Sequence, residues 1–375
     1  VDEVFPYLEK VLQKVGAIGP RLSTSFQEAE FARWLEEELY KMDFVVEKED
    51  FKALSTYSFF YCGIWGMFLG AFCLLWFSRW LALPLVLFAL FLTYCNLNTI
   101  PLLATSFTRR KSVNVLAKNT DSPRFILCAH LDSARTSLFF NPRFAVSPRL
   151  SLLLNIVSSI WVTVVVLLYA FLGYGWLRWL GWPAFLYLLF LFVLHLHREF
   201  WMPPSPGAND NGSEVAVALE LASRLKKTGL PFWVLFTGAE ESGTFGALYF
   251  WKKYRELLQD GVPVINLDNL GAGRLTLASM EGMWEIFTSW EDLRREIKAA
   301  ALGKGITLLE RPYLGLSTDA TVFLKRGGRA LTIIGLDERG LPPNWHWVTD
   351  TLENLHRPNL KNAVVMLEEW AQRHV

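Results

Sequence analysis

Two kinds of apolar pattern alternate along the chain. Four stretches, about 57–77, 81–104, 151–172 and 179–197, are continuously apolar over roughly the 20 residues that a bilayer crossing takes. A buried helix of a soluble domain is normally shorter and keeps a polar stripe; these stretches keep none, so the pattern predicts four membrane spans. Trp176, Trp179 and Trp182 cluster between the third and fourth, where an interfacial aromatic belt would sit, and Pro84 and Pro101 are tolerable near helix ends. The spans pair through tight turns, one around Ser78 and Arg79 and the other from Gly173 to Arg178. Each pair goes out and returns, which leaves the rest of the chain on one side of the membrane. Lys48, Lys52, Arg109, Arg110, Lys111, Arg135, Arg143, Arg149 and Arg198 flank the outer ends, against Arg79 and Arg178 in the turns. Lys and Arg beside spans are retained in the cytoplasm, so the bulk of this integral, multi-pass protein is expected there.

Outside the hairpins the pattern shortens. Ser25 followed three residues later by Glu28 predicts a capping box that opens a helix presenting Phe31, Trp34, Leu35 and Leu39. Strands are expected at Phe44–Glu49, Ser112–Ala117, Phe125–Ala129, Trp233–Phe236, Val264–Leu267 and Leu331–Ile334. Helices fit at Glu214–Lys226, Phe245–Leu258, Trp284–Leu302 with a stop at Gly303, and Asn359–Arg373. Strands alternating with helices imply an α/β fold: a three-layer mixed, largely parallel sheet with helices on both faces, interrupted by two hairpins that carry the four transmembrane helices. The expected organisation is one domain made of 1–55, 106–149 and 198–375, with hairpins at 56–105 and 150–197. No internal repeat or low-complexity tract is present. Ligands of such a sheet bind outside the carboxyl ends of its strands.

The chain of 375 residues is 52% apolar and 19% charged, which excludes disorder over most of its length. A net charge of +1 supplies no field to attract nucleic acid. Cys62, Cys73, Cys95 and Cys128 show no C-x-x-C spacing and three lie in apolar runs, so neither a disulfide framework nor a thiolate zinc site is expected. The charged residues after Val1 do not read as a signal peptide, although a trimmed chain would start the same way.

Candidate chemistry gathers at the strand ends. RFILCAH ends in His130, with Asp132 two residues on; PGANDNGSE carries Asp210 before a helix; WVLFTGAEESG ends in Glu240 and Glu241; VINLDNLG ends in Asp268; and NWHWVTDTLEN holds His346 and Asp350. Any one of these would ordinarily be a hydrogen-bonded surface residue, Glu240 and Glu241 a solvated pair, His346 a packed core histidine. Five such sites on one sheet instead converge on one rim. Two imidazoles and three or four carboxylates suit zinc, and suit two ions better than one, because a single catalytic zinc needs only three protein ligands.

The series A-H-L-D-S, G-A-N-D-N-G-S, G-A-E-E-S-G-T-F-G-A, N-L-D-N-L-G and W-H-W-V-T-D-T-L-E-N, in this order, resembles the motifs of the co-catalytic zinc exopeptidases that include bacterial leucyl aminopeptidases and glutamate carboxypeptidases. The resemblance covers the chain outside the hairpins. It implies two zinc ions per chain, His130 and Asp268 on one, Glu241 and His346 on the other, and Asp210 bridging both. It makes Glu240 the general base that takes a proton from the attacking water and passes it to the departing amine. Asp132 would orient the imidazole of His130, Asp350 and Asp319 would support the far side, and the Asp210–Asn211 peptide would be cis. The activity implied is removal of the N-terminal residue from peptides. A carboxypeptidase or dipeptidase, a single-zinc glutaminyl cyclase and a degenerate membrane scaffold stay open, as does the oligomeric state. Asn211 and Gly212 after Asp210, with the glycine-containing run after Glu241, fit the peptidases better than the cyclases.

This chain departs from that pattern in two places. Thr318-Asp319-Ala320 stands where the family often has Ser-Asp-His, and 79 residues separate His130 from Asp210, the excess being the second hairpin. If the strands at Phe44, Ser112 and Phe125 run up, down and up, both hairpins leave the sheet at the edge holding His130. The active site is then expected to face the bilayer and to favour peptides bound to the membrane or released beside it; the alternative is that the hairpins only tether the enzyme. His195 and His197 read as interfacial anchors rather than ligands, and Asn96 and Asn98 as bonding to neighbouring helices. Tyr313, Trp345 and Trp347 either line a substrate pocket or pack the core, with packing the preferred reading.

Overall fold

Each apolar pattern builds its own core in the computed structural model, whose described residues are 4–98, 110–143 and 147–374. The expected end of the second span near 104, Pro101 and Arg109 lie outside those residues. In chain order the elements are α1 (Pro6–Ile18), α2 (Phe26–Tyr40), β1 (Val45–Lys52), α3 (Ser58–Leu74), α4 (Arg79–Leu97), β2 (Lys111–Lys118) and β3 (Phe125–His130). Then come α5 (Pro148–Leu172), α6 (Trp182–Trp201), α7 (Glu214–Lys226), β4 (Phe232–Thr237), α8 (Phe245–Lys253), α9 (Arg255–Gln259) and β5 (Val264–Asp268). The chain finishes with β6 (Arg274–Glu281), β7 (Phe287–Thr288), α10 (Glu291–Gly303), β8 (Leu309–Tyr313), α11 (Asp319–Leu324), β9 (Ala330–Leu336) and α12 (Arg357–His374).

Among the described residues the sheet runs β1-β2-β4-β3-β5-β9-β6-β7, with β8 paired to β6. Its centre, β4-β3-β5-β9, is parallel, but β1, β2 and β4 are joined antiparallel at one side and β9, β6 and β7 antiparallel at the other. The sheet is therefore mixed and not largely parallel, because short returns such as that from β5 to β6 replace helical crossovers at the margins. β3 is buried along its whole length: Leu127 and Ala129 join the core beneath α1, α2, α7 and α12, while Ile126 and Cys128 join that beneath α8 and α11. The expected three layers are present. The expected up, down, up order of β1, β2 and β3 also holds, since β2 opposes both β1 and β4 and β3 runs with β4.

Local expectations differ in instructive ways. Ser25 Oγ accepts the Glu28 N–H at 3.1 Å, but the Glu28 carboxylate does not complete the box. One oxygen reaches past the cap to the Thr24 N–H at 2.7 Å, and the other turns inward to Ser112 Oγ at 2.8 Å and the Ala239 N–H at 2.9 Å, tying α2 to the turn after β4. The helix expected over Phe245–Leu258 breaks at Tyr254, whose hydroxyl is drawn to Glu47 and Glu49 of β1. The helix expected from Trp284 begins at Glu291, because Phe287 and Thr288 pair with Glu281 and Met280 as a short strand.

Helices α3 to α6 pack on one another through Phe68, Phe72, Val86, Ala89, Val166 and Leu188. Their outer surface is apolar and exposed at Leu87, Phe91, Val157, Leu186 and Phe190. Three helices among the described residues, Arg79–Leu97, Pro148–Leu172 and Gly175–Trp201, are long and apolar enough to cross a membrane. The first expected span is shorter than its apolar run, for α3 stops at Leu74 after 17 residues and the chain turns into α4. Asn96 bonds to Tyr61 of α3 at 2.9 Å as expected, whereas Asn98 bonds back to Tyr94 O within its own helix. Arg198 is more than a flanking cation: buried at the end of α6, it donates to Thr56 and Ser58 before and at the start of α3, to Glu199, and to the Arg135 carbonyl. That clasp fixes the helices to the loop that follows His130.

Candidate metal centre

Parallel pairing brings the chemistry together. His130 ends β3 opposite Thr237 at the end of β4, and Asp268 ends β5 at the same edge. Glu240 and Glu241 occupy the turn after β4. Asp210 lies in the segment Ala208–Ser213 leading into α7, and its peptide bond to Asn211 is cis, as the resemblance implied. His346 comes from the loop after β9, with a φ of 49° that holds its ring toward the other donors.

The two oxygens of Asp210 face the two imidazoles: Oδ1 lies 3.2 Å from His130 Nε2 and Oδ2 3.1 Å from His346 Nε2. His346 Nε2 is also 3.0 Å from Glu241 Oε2. Donor atoms within 4.8 Å of one another form the groups His130, Asp210, Asp268 and Asp210, Glu241, His346, with Asp210 in both. A further group joins His130 to Glu240 and Glu241. Two groups thus share Asp210, each offering imidazole nitrogen and carboxylate oxygen, donor types suited to zinc.

The electrostatics point the same way. Burial pushes the carboxyl of Glu240 well above the ordinary range, though His130 draws it back, and lifts Asp268 to about 7. Asp210 is held below its ordinary value because the hydrogen bonds from His130 and His346 outweigh its burial. Burial opposes charge on His346 too, yet Glu241 and Asp210 raise its pKa to about 9. Glu241 Oε1 is buried with no hydrogen-bond partner. Asp210 and Asp268 are buried and Glu240 and Glu241 half-buried, and four carboxylates so close together call for compensating positive charge.

The supporting residues act largely through main-chain amides. Asp132 accepts the N–H groups of Glu240 at 3.0 Å and Glu241 at 3.1 Å and the Ser23 hydroxyl at 2.6 Å. Its carbonyl, at 3.1 Å, lies nearer His130 Nδ1 than its carboxylate does, at 3.5 Å. The expected orienting role therefore falls mainly to the carbonyl, and the carboxylate shapes the glutamate turn. Asp350 accepts the N–H groups of Asn209 and Asp210, fixing the loop that carries Asp210. Asp319 touches none of the donors; it lies beneath the ends of β3 and β4, accepting from Thr237 and facing Cys128. Arg21, which no local pattern marked, is fully buried and donates to Leu131 O at 3.0 Å and Gly207 O at 2.8 Å, joining the loops that carry His130 and Asp210.

A cavity of about 340 Å³ opens above the donors. Tyr313 and Trp345 line it and are also buried, Tyr313 within a small apolar cluster, so they both wall the cavity and pack; Trp347 lies outside the lining. The same cavity is roofed by Tyr57, Tyr61 and Trp65 of the first helix pair and Asn155 and His195 of the second. Both pairs thus spring from the rim that carries the donors. His195 is a wall residue, its ring 4.6 Å from that of Trp65 and its Nδ1 3.0 Å from Leu191 O.

Residues 192–371 match Peptidase family M28, a segment that holds every donor except His130. Aminopeptidase YwaD of Bacillus subtilis (strain 168) is 30% identical over 172 residues, covering 43% of this chain and 36% of that protein; the chain thus matches little more than a third of this relative's length. Among solved structures, a leucine aminopeptidase precursor from Bacteroides thetaiotaomicron superposes with a TM-score of 0.61 at 15% identity, over 100% of this chain and 99% of its own. Porphyromonas gingivalis glutaminyl cyclase superposes with a TM-score of 0.58 at 15% identity, over 99% of each chain. Those two likenesses are of fold.

Proposed function

We propose, from the match of residues 192–371 to Peptidase family M28 and from the donor geometry, that the chain is a membrane-anchored, zinc-dependent aminopeptidase that removes the N-terminal residue of peptides. The observation that carries this reading is the pair of donor groups sharing Asp210, with Glu240 beside them in the same turn as Glu241. Asp210 would bridge two zinc ions, His130 and Asp268 holding one and Glu241 and His346 the other. Zinc, when bound, supplies Lewis acidity and an acidified water. Glu240 takes a proton from the attacking water and delivers it to the departing amine. Its position is set by the Asp132 carboxylate, which grips the turn by its amides and leaves the Glu240 side chain free to carry the proton. Phe140, Tyr313 and Trp345 wall the cavity beside the donors.

Charge favours an aminopeptidase over a carboxypeptidase. A free carboxylate at the substrate end would need a cation, and among the described residues Lys325 is the one Lys or Arg lining the cavity, already 2.7 Å from Glu285. A free amine needs no such cation. Purified protein is expected to hold two zinc ions per chain and to cleave amino-acid p-nitroanilides with a rate that a chelator abolishes and zinc restores. One ion per chain with cyclisation of N-terminal glutamine would favour the cyclase reading; no bound metal and no hydrolysis would leave a scaffold.

The apolar, exposed outer surface of the helices supports anchoring in a bilayer, with the domain formed by 1–55, 106–149 and 198–375 on the cytoplasmic side. In right-side-out vesicles added protease is expected to leave the C-terminal region intact. Its digestion there would reverse the orientation.

A further inference from the structure

The cavity above the donors does not end at the catalytic domain. It continues between the helices, where Phe60, Leu97, Leu152 and Leu191 supply apolar wall. Polar groups in this annex are largely engaged with one another: Trp65 Nε1 donates to Asn155 Oδ1 at 2.9 Å, Asn96 to the Tyr61 hydroxyl at 2.9 Å, and His195 Nδ1 faces Leu191 O. Among the described residues, the helices contribute no Asp, Glu, Lys or Arg to the lining. An ammonium or carboxylate side chain buried there would lie unpaired, at large cost, whereas apolar side chains gain by leaving water. The floor has the opposite character, lined by the polar donors His130, Asp210, Glu240, Glu241, Asp268 and His346, and suits the polar end of the chain rather than its apolar side chains.

We propose that this annex is an extended subsite for an apolar peptide, which lies with its free amine at the carboxylate floor and its downstream residues between the helices. The assignment rests on the aminopeptidase reading and adds the substrate class to it: peptides apolar over several residues, of the kind that partition into a bilayer. Two features carry it. The annex is continuous with the donor site, and the cavity volume lies in the range of about 300–1,000 Å³ that accommodates ligands larger than one small side chain. His195, Tyr61 and Asn155 are then specificity residues. They grip nothing charged and leave the downstream chain to be chosen by its lack of charge.

The experiment is a substrate series on the full chain in detergent or vesicles: leucine p-nitroanilide, a hexapeptide of Leu followed by five apolar residues, and one of Leu followed by five charged residues. The apolar hexapeptide is expected to have a kcat/KM at least tenfold above that of the charged one. Narrowing the annex by Leu152→Trp or Leu191→Trp should reduce this ratio to about threefold or less, with metal content retained. Phe190→Ala, on the outward surface of α6, should leave the ratio as it is. Cleavage of the anilide with equal treatment of the two hexapeptides overturns the annex but spares the aminopeptidase. Persistence of the preference in both tryptophan variants overturns it as well. Failure to cleave any of the three by a zinc-loaded protein removes both readings together.

Discussion

Glu240→Gln is expected to keep two zinc ions and to lower turnover by roughly 10²–10⁴-fold, the usual contribution of a positioned general base. The substitution preserves shape. The turn is held from its backbone, by Asp132 on the amides of residues 240 and 241, so the new amide occupies the place of the old carboxylate. It cannot accept a proton from water. Nor is the neighbouring Glu241 free to replace it, because that carboxylate is committed to His346 at 3.0 Å. Metal analysis and steady-state kinetics on the same preparation check both halves of the expectation. A variant working within threefold of the native rate would falsify the assignment of the base.

Asp210→Asn tests the shared position. His130 and His346 each approach a different oxygen of this carboxylate, so the amide turns one acceptor into a donor and removes the charge common to both groups. Metal content is expected to fall from two ions to one or none, and turnover by roughly 10³-fold or more, since the charge stabilisation lost is several kcal/mol and each 1.4 kcal/mol is a factor of ten. The loop should survive, because Asp350 holds it through the amides of Asn209 and Asp210. Two tightly bound ions and near-native hydrolysis in this variant would show that the donors do not share a residue.

Much of this molecule was legible from its residues. Of the six expected strands, all but the charged edge strand β1 are short and rich in apolar residues, and each appears within a few residues of its expected limits. The donors were legible because each follows such a strand or precedes such a helix. Less accessible was whatever depends on distant pairing. α1 has a clear apolar face of Leu8, Val11, Leu12 and Val15, yet went unread for want of a capping signal, whereas β6 and β8 are strands chiefly through each other. Arg21, Ser23 and Glu28 precede or open α2 as ordinary polar residues. Their roles arise from groups more than 80 positions away, at Leu131, Asp132 and Ser112. Residue 74 ended α3 early for a similar reason, since an apolar run says how far a helix could extend and not where packing turns it.

The order of the donors along the chain bears on how the protein is made. His130 is synthesised before α5 and α6, and Asp210, Glu240, Glu241, Asp268 and His346 after them; β1 and β2, which pair from Val45 to Lys118, enclose the other two helices. A nascent chain emerging from the ribosome therefore cannot close the sheet edge or complete the donor set until the apolar segments between have found their place. Completion of the donor set is thereby coupled to the placement of the four helices that interrupt it.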